Sequence, residues 1–396
     1  MWSKILSASA AALFGAVGAM AGDLAPVQTA TSAEADAIIA SEPARAVPKI
    51  WAEADYLLWF ERRQGVPLLV GTIPDSMVNS PNGLTGAANP LYPTNGKIDF
   101  RGINGLSARA GGQLTDVYGL DIGGFVLEKQ NVDQSFASTG TPSLVRTYLQ
   151  PSSGILQNLF SARIAPNGYP GSVLVHADSR LWGIDGNVRR EWFHIFADRN
   201  DLLVGFRYIN LAENLSVNDR SDLGGGQVVN TVSDNFRTQN HIYVAQIGLQ
   251  SAWYGYGRFD LGYFGKFGLG GASQRVEIFG NNSFTGLPNQ STGLYTQATN
   301  IGTFERTKGV AVGEVGFKIG YHVTDRINVQ VGYNILYVSS VVRPGAALDA
   351  AVNDSNIRFI ANPPADAISR RPNFDFARAS TDFVAQGLTA GLSIRY

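Results

Sequence analysis

The sequence predicts an all-β fold: a closed antiparallel transmembrane β-barrel of about ten strands, with long extracellular loops and short periplasmic turns. Three observations predict it. Apolar residues recur at every second position over long runs, the connections between runs alternate between tight and long, and no later segment is apolar enough for a spanning helix.

Residues 1–21 have the form of a signal peptide. Lys4 supplies the positive start, an uncharged stretch follows from Ile5 to Met20, and Ala19-Met20-Ala21 places cleavage near Ala21. Residues 22–49, rich in Ala, Pro, Ser and Thr, read as a flexible periplasmic linker, and residues 50–396 as the barrel. In the first barrel run Ala52, Ala54, Tyr56, Leu58 and Phe60 alternate with Glu53 and Asp55. Runs of the same kind follow near 106–114, 118–126, 182–188, 202–208, 243–249, 258–269, 314–321, 327–337 and 388–396. The gaps near 115–117, 197–201, 252–256 and 322–326 are tight, whereas those near 61–98, 130–178, 212–235, 273–305 and 343–380 are long. Ten strands starting in the periplasm put every tight turn there and return the chain to that side. A hairpin hidden in 61–98 or 130–178 would raise the number to twelve.

Hydrocarbon offers no hydrogen-bond partners, so a spanning sheet must close on itself, with one face apolar toward lipid and the other free to carry charge. Charged residues are 16% of the chain against an average of about 25%. A net charge of −1 excludes nucleic acid as a partner, because phosphate binding needs a basic surface. The absence of cysteine removes disulfides, thiolate metal sites, thiol nucleophiles and lipoprotein anchoring. Tyr56, Trp59, Phe60, Trp182, Trp192, Trp253, Tyr254, Tyr321, Tyr337 and Tyr396 suit an aromatic girdle. The terminal Thr389–Tyr396, with Gly391, Ile394 and Tyr396 at the marked positions, has the pattern read by the outer-membrane barrel-assembly machinery.

Several segments resemble the outer-membrane β-barrel porin family found mainly in planctomycetes. They are Trp51-Ala52-Glu53-Ala54-Asp55-Tyr56-Leu57-Leu58-Trp59, Pro67-Leu68-Leu69-Val70, Gly205-Phe206-Arg207-Tyr208 with Glu213, and Val244–Leu249. Others are Lys266–Gly270, Glu314–Phe317, Gly332–Tyr337, Val342-Arg343-Pro344-Gly345, Arg371–Phe374 and Gln386–Leu388. The resemblance covers about residues 50 to 396 and implies the fold more strongly than an activity.

Arg109, Arg207, Arg258, Lys266, Glu314 and Lys318 fall on the polar side of their runs and are the candidate lumen-lining residues. Two readings of these charges stay open: a wet pore that tunes passage of small hydrophilic solutes or ions, and a paired network filling a narrow barrel. The corresponding functions are porin-like passage, or a plugged structural or adhesive barrel working through its loops. His176, His194, His241 and His322 are scattered without zinc spacing, and there is no nucleophile elbow, P-loop or dinucleotide fingerprint. Asp219, Asp222 and Asp234 fit no calcium-loop spacing. No enzyme, cofactor or metal is expected; His176 with Asp178 is the nucleus of the weaker alternative, an omptin-like protease. The expected partners are outer-membrane lipid, the assembly machinery and small solutes or ions.

Overall fold

The computed structural model describes residues 49–78, 88–151, 153–164, 168–192, 199–226, 228–254, 258–353 and 371–396. The expected signal peptide, residues 1–21, and nearly all of the expected linker, residues 22–49, lie outside the described residues. Ten strands build the main sheet: β1 (Ile50–Glu61), β2 (Gly102–Gln113), β3 (Tyr118–Leu127), β4 (Gly171–Glu191), β5 (Arg199–Leu223), β6 (Val228–Tyr254), β7 (Phe259–Phe284), β8 (Gly302–His322), β9 (Ile327–Val342) and β10 (Ser380–Arg395). Each pairs antiparallel with its neighbour in sequence, and β10 pairs with β1, so the ring closes without an edge at membrane level.

The period-two pattern sorts the two faces of every strand. In β1, Ala52, Ala54, Tyr56 and Phe60 are exposed while Asp55, Leu57, Trp59 and Glu61 are buried. Ile122, Ile184, Phe206, Ile247, Phe267, Phe317, Val331 and Leu388 carry the exposed apolar belt around the ring, where lipid replaces water as the solvent. Trp59 departs from the girdle expectation, because its ring is only 2% exposed and points inward. Its odd position places it on the same face as Glu53 and Asp55.

Two expectations about the connections are corrected. Strands β5, β6 and β7 run for 25, 27 and 26 residues, although about 9–11 cross a bilayer, so they continue far beyond the membrane as one wall. The stretch 212–235 is therefore no loop but the upper part of the β5–β6 hairpin, turned at Gly224, Gly225 and Gly226 with φ of 67°, 69° and 89°. Strand β3 likewise continues as Gln130–Ser138 along β4. From Trp182↔Val126 to Ser179↔Gln130 the register advances three steps on β4 and four on β3, a one-residue bulge.

No eleventh and twelfth strands enter the ring. The extended pieces inside 61–98 and 130–178 instead form a second sheet, ordered Ile155–Ala162, Ser143–Gln150, Val70–Ile73, Asn89–Tyr92. This sheet packs into the outer end of the barrel, where Leu69, Val70, Leu144 and Tyr148 join the inward residues Trp59, Ile103, Leu127 and Phe236 in one buried core.

Candidate functional site

The inner face of the barrel changes character along its length. In the periplasmic half it is a lattice of charges to which every strand contributes. Arg109 on β2 is bonded to Asp121 on β3 and, at 2.6 Å, to Asp185 on β4. Lys266 on β7 donates to Asp185 at 2.9 Å, and Arg207 on β5 is paired with Glu314 on β8. Gln246 on β6 donates to Asn187 at 2.6 Å, and Asn187 donates to both Asp121 and Asp185 at 2.9 Å. Lys318 on β8 reaches Glu53 at 3.0 Å and Asp55 at 3.1 Å, and Gln330 on β9 donates to Asp55 at 2.6 Å. Lower down, Asp260 gathers His322 at 3.0 Å, Asn328 at 3.2 Å and Arg395 of β10 at 3.2 Å.

Of the six predicted lumen residues, five meet in this lattice. Arg258 does not: it is exposed at the turn before β7, with Nη1 3.5 Å from the Tyr321 hydroxyl. The lattice needs room as well as charge. A Cβ on Gly123 would stand 2.7 Å from the Arg109 guanidinium carbon, so glycine lets that side chain lie flat against β3. A cavity of about 170 Å³ remains, lined by Glu53, Asp55, Arg109, Lys266 and Lys318 below and by Trp59 and Phe125 above.

Above the lattice the same inward positions turn apolar. Leu57, Trp59, Ile103, Leu127, Leu181, Ile209, Val244, Val312, Leu336 and Phe383 are all buried, and the loops meet them with Val66, Leu69, Val70, Leu144, Tyr295 and Leu348. Trp59 packs on Phe125 with ring centroids 5.4 Å apart. Two ionic anchors fasten this plug to the wall. Arg146 of the plug sheet donates to Asp234 of β6 at 2.6 Å, both side chains being fully buried. The same carboxylate accepts from the backbone N–H groups of Leu294, Tyr295 and Thr296 at 3.2, 2.9 and 2.8 Å. Arg343, just after β9, donates through Nε and Nη2 to Glu213 of β5 at 2.5–3.1 Å and through Nη1 to the Arg62 carbonyl at 2.7 Å. Glu213 and Arg343 both belong to segments that carry the family resemblance, although their pairing is not readable from sequence.

Asp219 sits beside the first anchor, accepting from Ser161 at 3.1 Å. Burial pushes its carboxyl up to about 6, against the pull of the neighbouring Arg146. An acid whose pKa is raised by folding favours the folded state while protonated. Plug stability should therefore fall by roughly 3 kcal/mol as pH rises from about 4 through 6. Hydrogen exchange in Ser143–Gln150 measured across that range checks this, and Asp219→Asn should flatten the profile.

His176 lies on the outward side of β4, its Nδ1 2.7 Å from Asp133 and its Nε2 3.2 Å from Asp178. Asp219, Asp222 and Asp234 stand on strands rather than in a loop, and among the described residues no group of three or more side chains could hold a metal. Ile394 and Tyr396 face lipid, 44% and 69% exposed, and Gly391 pairs with Asp55 across the β10–β1 seam.

A family model described as putative beta barrel porin-7 matches residues 51–396. The chain belongs to this family. It is a porin-like outer-membrane β-barrel. Among solved structures it is similar to the outer membrane protease OmpT from Escherichia coli, with 12% identity, coverage of 88% of this chain and 96% of that one, and a TM-score of 0.43. It is also similar to a FadL homologue of Pseudomonas aeruginosa at 7% identity, covering 88% and 89% of the two chains with a TM-score of 0.22. An anion-selective porin from Comamonas acidovorans matches at 7% identity over 88% and 99%, with a TM-score of 0.14. No curated protein matches the chain.

Proposed function

We propose that this member of the porin family stands closed across the outer membrane and works through the surface its plug and loops present outside. The observation that carries the reading is the apolar layer above the charged lattice, anchored by two buried ion pairs at Asp234 and Glu213. Hydrated ions do not cross a packed apolar layer, because water and charge are excluded from it together. The lattice below then serves structure: in a barrel this narrow, inward side chains fill the interior, and paired charges satisfy one another.

A second reading is porin-like passage of small hydrophilic solutes or ions, supported by the family and by the charged cavity below the plug. It requires the plug to move aside. Electrical recording from the reconstituted protein separates the two: silence supports the closed barrel, and steady current steps support passage through the lattice. Neither reading assigns covalent chemistry. His176 and its two carboxylates face outward from the wall, away from the lumen, and a His176→Ala variant should behave as wild type with added peptides. The pattern at Gly391, Ile394 and Tyr396 serves delivery to the barrel-assembly machinery on this account.

A further inference from the structure

The outward face of β4, β5 and β6 carries a feature that neither plug nor lattice uses. At hydrocarbon level there is a notch of about 430 Å³, lined by Ile122, Ile184, Gly186, Phe206, Tyr243 and Ala245. It exists because Gly186 and Ala245 flank Phe206 on the same cross-strand rung. The next rungs upward are Ile184–Tyr208–Tyr243, then Trp182–Asn210–His241, then Arg180–Ala212–Gln239, then Asp178–Asn214–Arg237. The sequence of chemistry is therefore apolar slot, aromatic belt, hydrogen-bonding groups, then Arg180 and Arg237 with Asp178, whose carboxylate is taken up by Lys129 and His176.

The aromatic rung is tightly organised. Tyr208 lies 5.1 Å from the Trp182 ring and 5.0 Å from the Tyr243 ring, and its hydroxyl is 2.7 Å from His241 Nδ1. The cations above it differ from the other outward cations at this end of the wall. Arg275 is paired with Glu277 and Glu305, Arg220 with Asp222, and Lys129 with Asp178. Arg180 and Arg237 are both exposed, and among the described residues neither has a carboxylate partner. Arg237 rests on the Phe279 ring, 4.8 Å away, and stands opposite Glu277, whose carboxylate is engaged by Arg275. They lie two strand spacings, about 10 Å, apart across the sheet and one rung apart along it, with Ala212 and Asn214 between, and their long side chains can converge on one anion above that floor.

We infer that this face binds one phosphate-bearing acylated lipid of the outer leaflet, an acyl chain lying in the notch and the phosphate between Arg180 and Arg237. The surface below the aromatic belt meets lipid tails, and the two unpaired guanidinium groups stand where headgroups lie, which favours a lipid over a protein occupant. The inference is independent of whether the lumen conducts.

Native mass spectrometry of the folded, detergent-solubilised barrel with bis-phosphorylated lipid A, and with the same lipid stripped of phosphate, tests it. One bound lipid is expected, with at least ten-fold weaker binding of the phosphate-free form and of the R180A/R237A variant. Gly186→Leu should weaken both forms by filling the notch; its Cβ would meet nothing nearer than the Asp121 carbonyl at 3.8 Å, so the fold is spared. Heat-modifiable migration confirms that each variant is folded. Equal binding of both forms, undiminished binding to R180A/R237A, or lipid-independent dimers abolished by Gly186→Leu would each overturn the proposal, the last by making the occupant a second copy.

Discussion

Asp234→Ala is expected to release the plug from the barrel wall while the ring of ten strands stays folded. The substitution removes the carboxylate ion-paired with the fully buried Arg146 guanidinium, leaving it only the more distant Asp219, and removes the acceptor for three backbone N–H groups of residues 294–296. Leaving one charge of a buried pair uncompensated costs about 3–5 kcal/mol, and each orphaned N–H adds about 1–3 kcal/mol unless water reaches it. A loop plug has no such reserve, so water should enter the outer end. Limited proteolysis should cut within 285–301 and Ser143–Gln150 in the variant and spare them in the wild type. Heat-modifiable migration should persist, because none of the lost bonds closes the ring. Protease resistance equal to wild type would show that apolar packing alone seats the plug.

Asp185→Ala should damage the barrel itself. Asp185 receives Arg109 at 2.6 Å and Lys266 at 2.9 Å, with Arg207 at 3.9 Å, and is 7% exposed. Arg109 keeps Asp121 and Arg207 keeps Glu314, but Lys266 loses the one carboxylate within ion-pair distance of it among the described residues, again about 3–5 kcal/mol. The urea midpoint for loss of the heat-modified band should drop clearly. An unchanged midpoint would mean that water in the cavity solvates these cations and that the lattice is wet.

The ring was legible in the sequence because lipid imposes a strict rule: each outward residue must be apolar, and period two reports that directly. That rule alone places Ile122, Phe206 and Leu388 on the lipid face. The five lattice residues were legible for the same reason, as polar partners on the opposite face. Arg258 failed because it belongs to a turn, where alternation no longer assigns a face. The upper wall was not legible. Above the membrane both faces of β5 and β6 are partly buried, so Leu215, Val217 and Phe236 pack against the plug while Asn214 and Asn218 tolerate water. Polar residues on the water-facing side there made 212–235 resemble a loop. The anchors were hidden for another reason. Arg146 and Asp234, or Glu213 and Arg343, are separated by 88 and 130 positions, and only the closed fold brings them together.

Planar-bilayer recording of the purified, heat-modifiable protein at neutral pH tests the closed barrel most directly. The wild type should insert and remain electrically silent, whereas Asp234→Ala should show current. Discrete, reproducible current steps from the wild type would contradict the closed barrel and make Arg109, Arg207, Lys266, Glu314 and Lys318 the lining of an open pore.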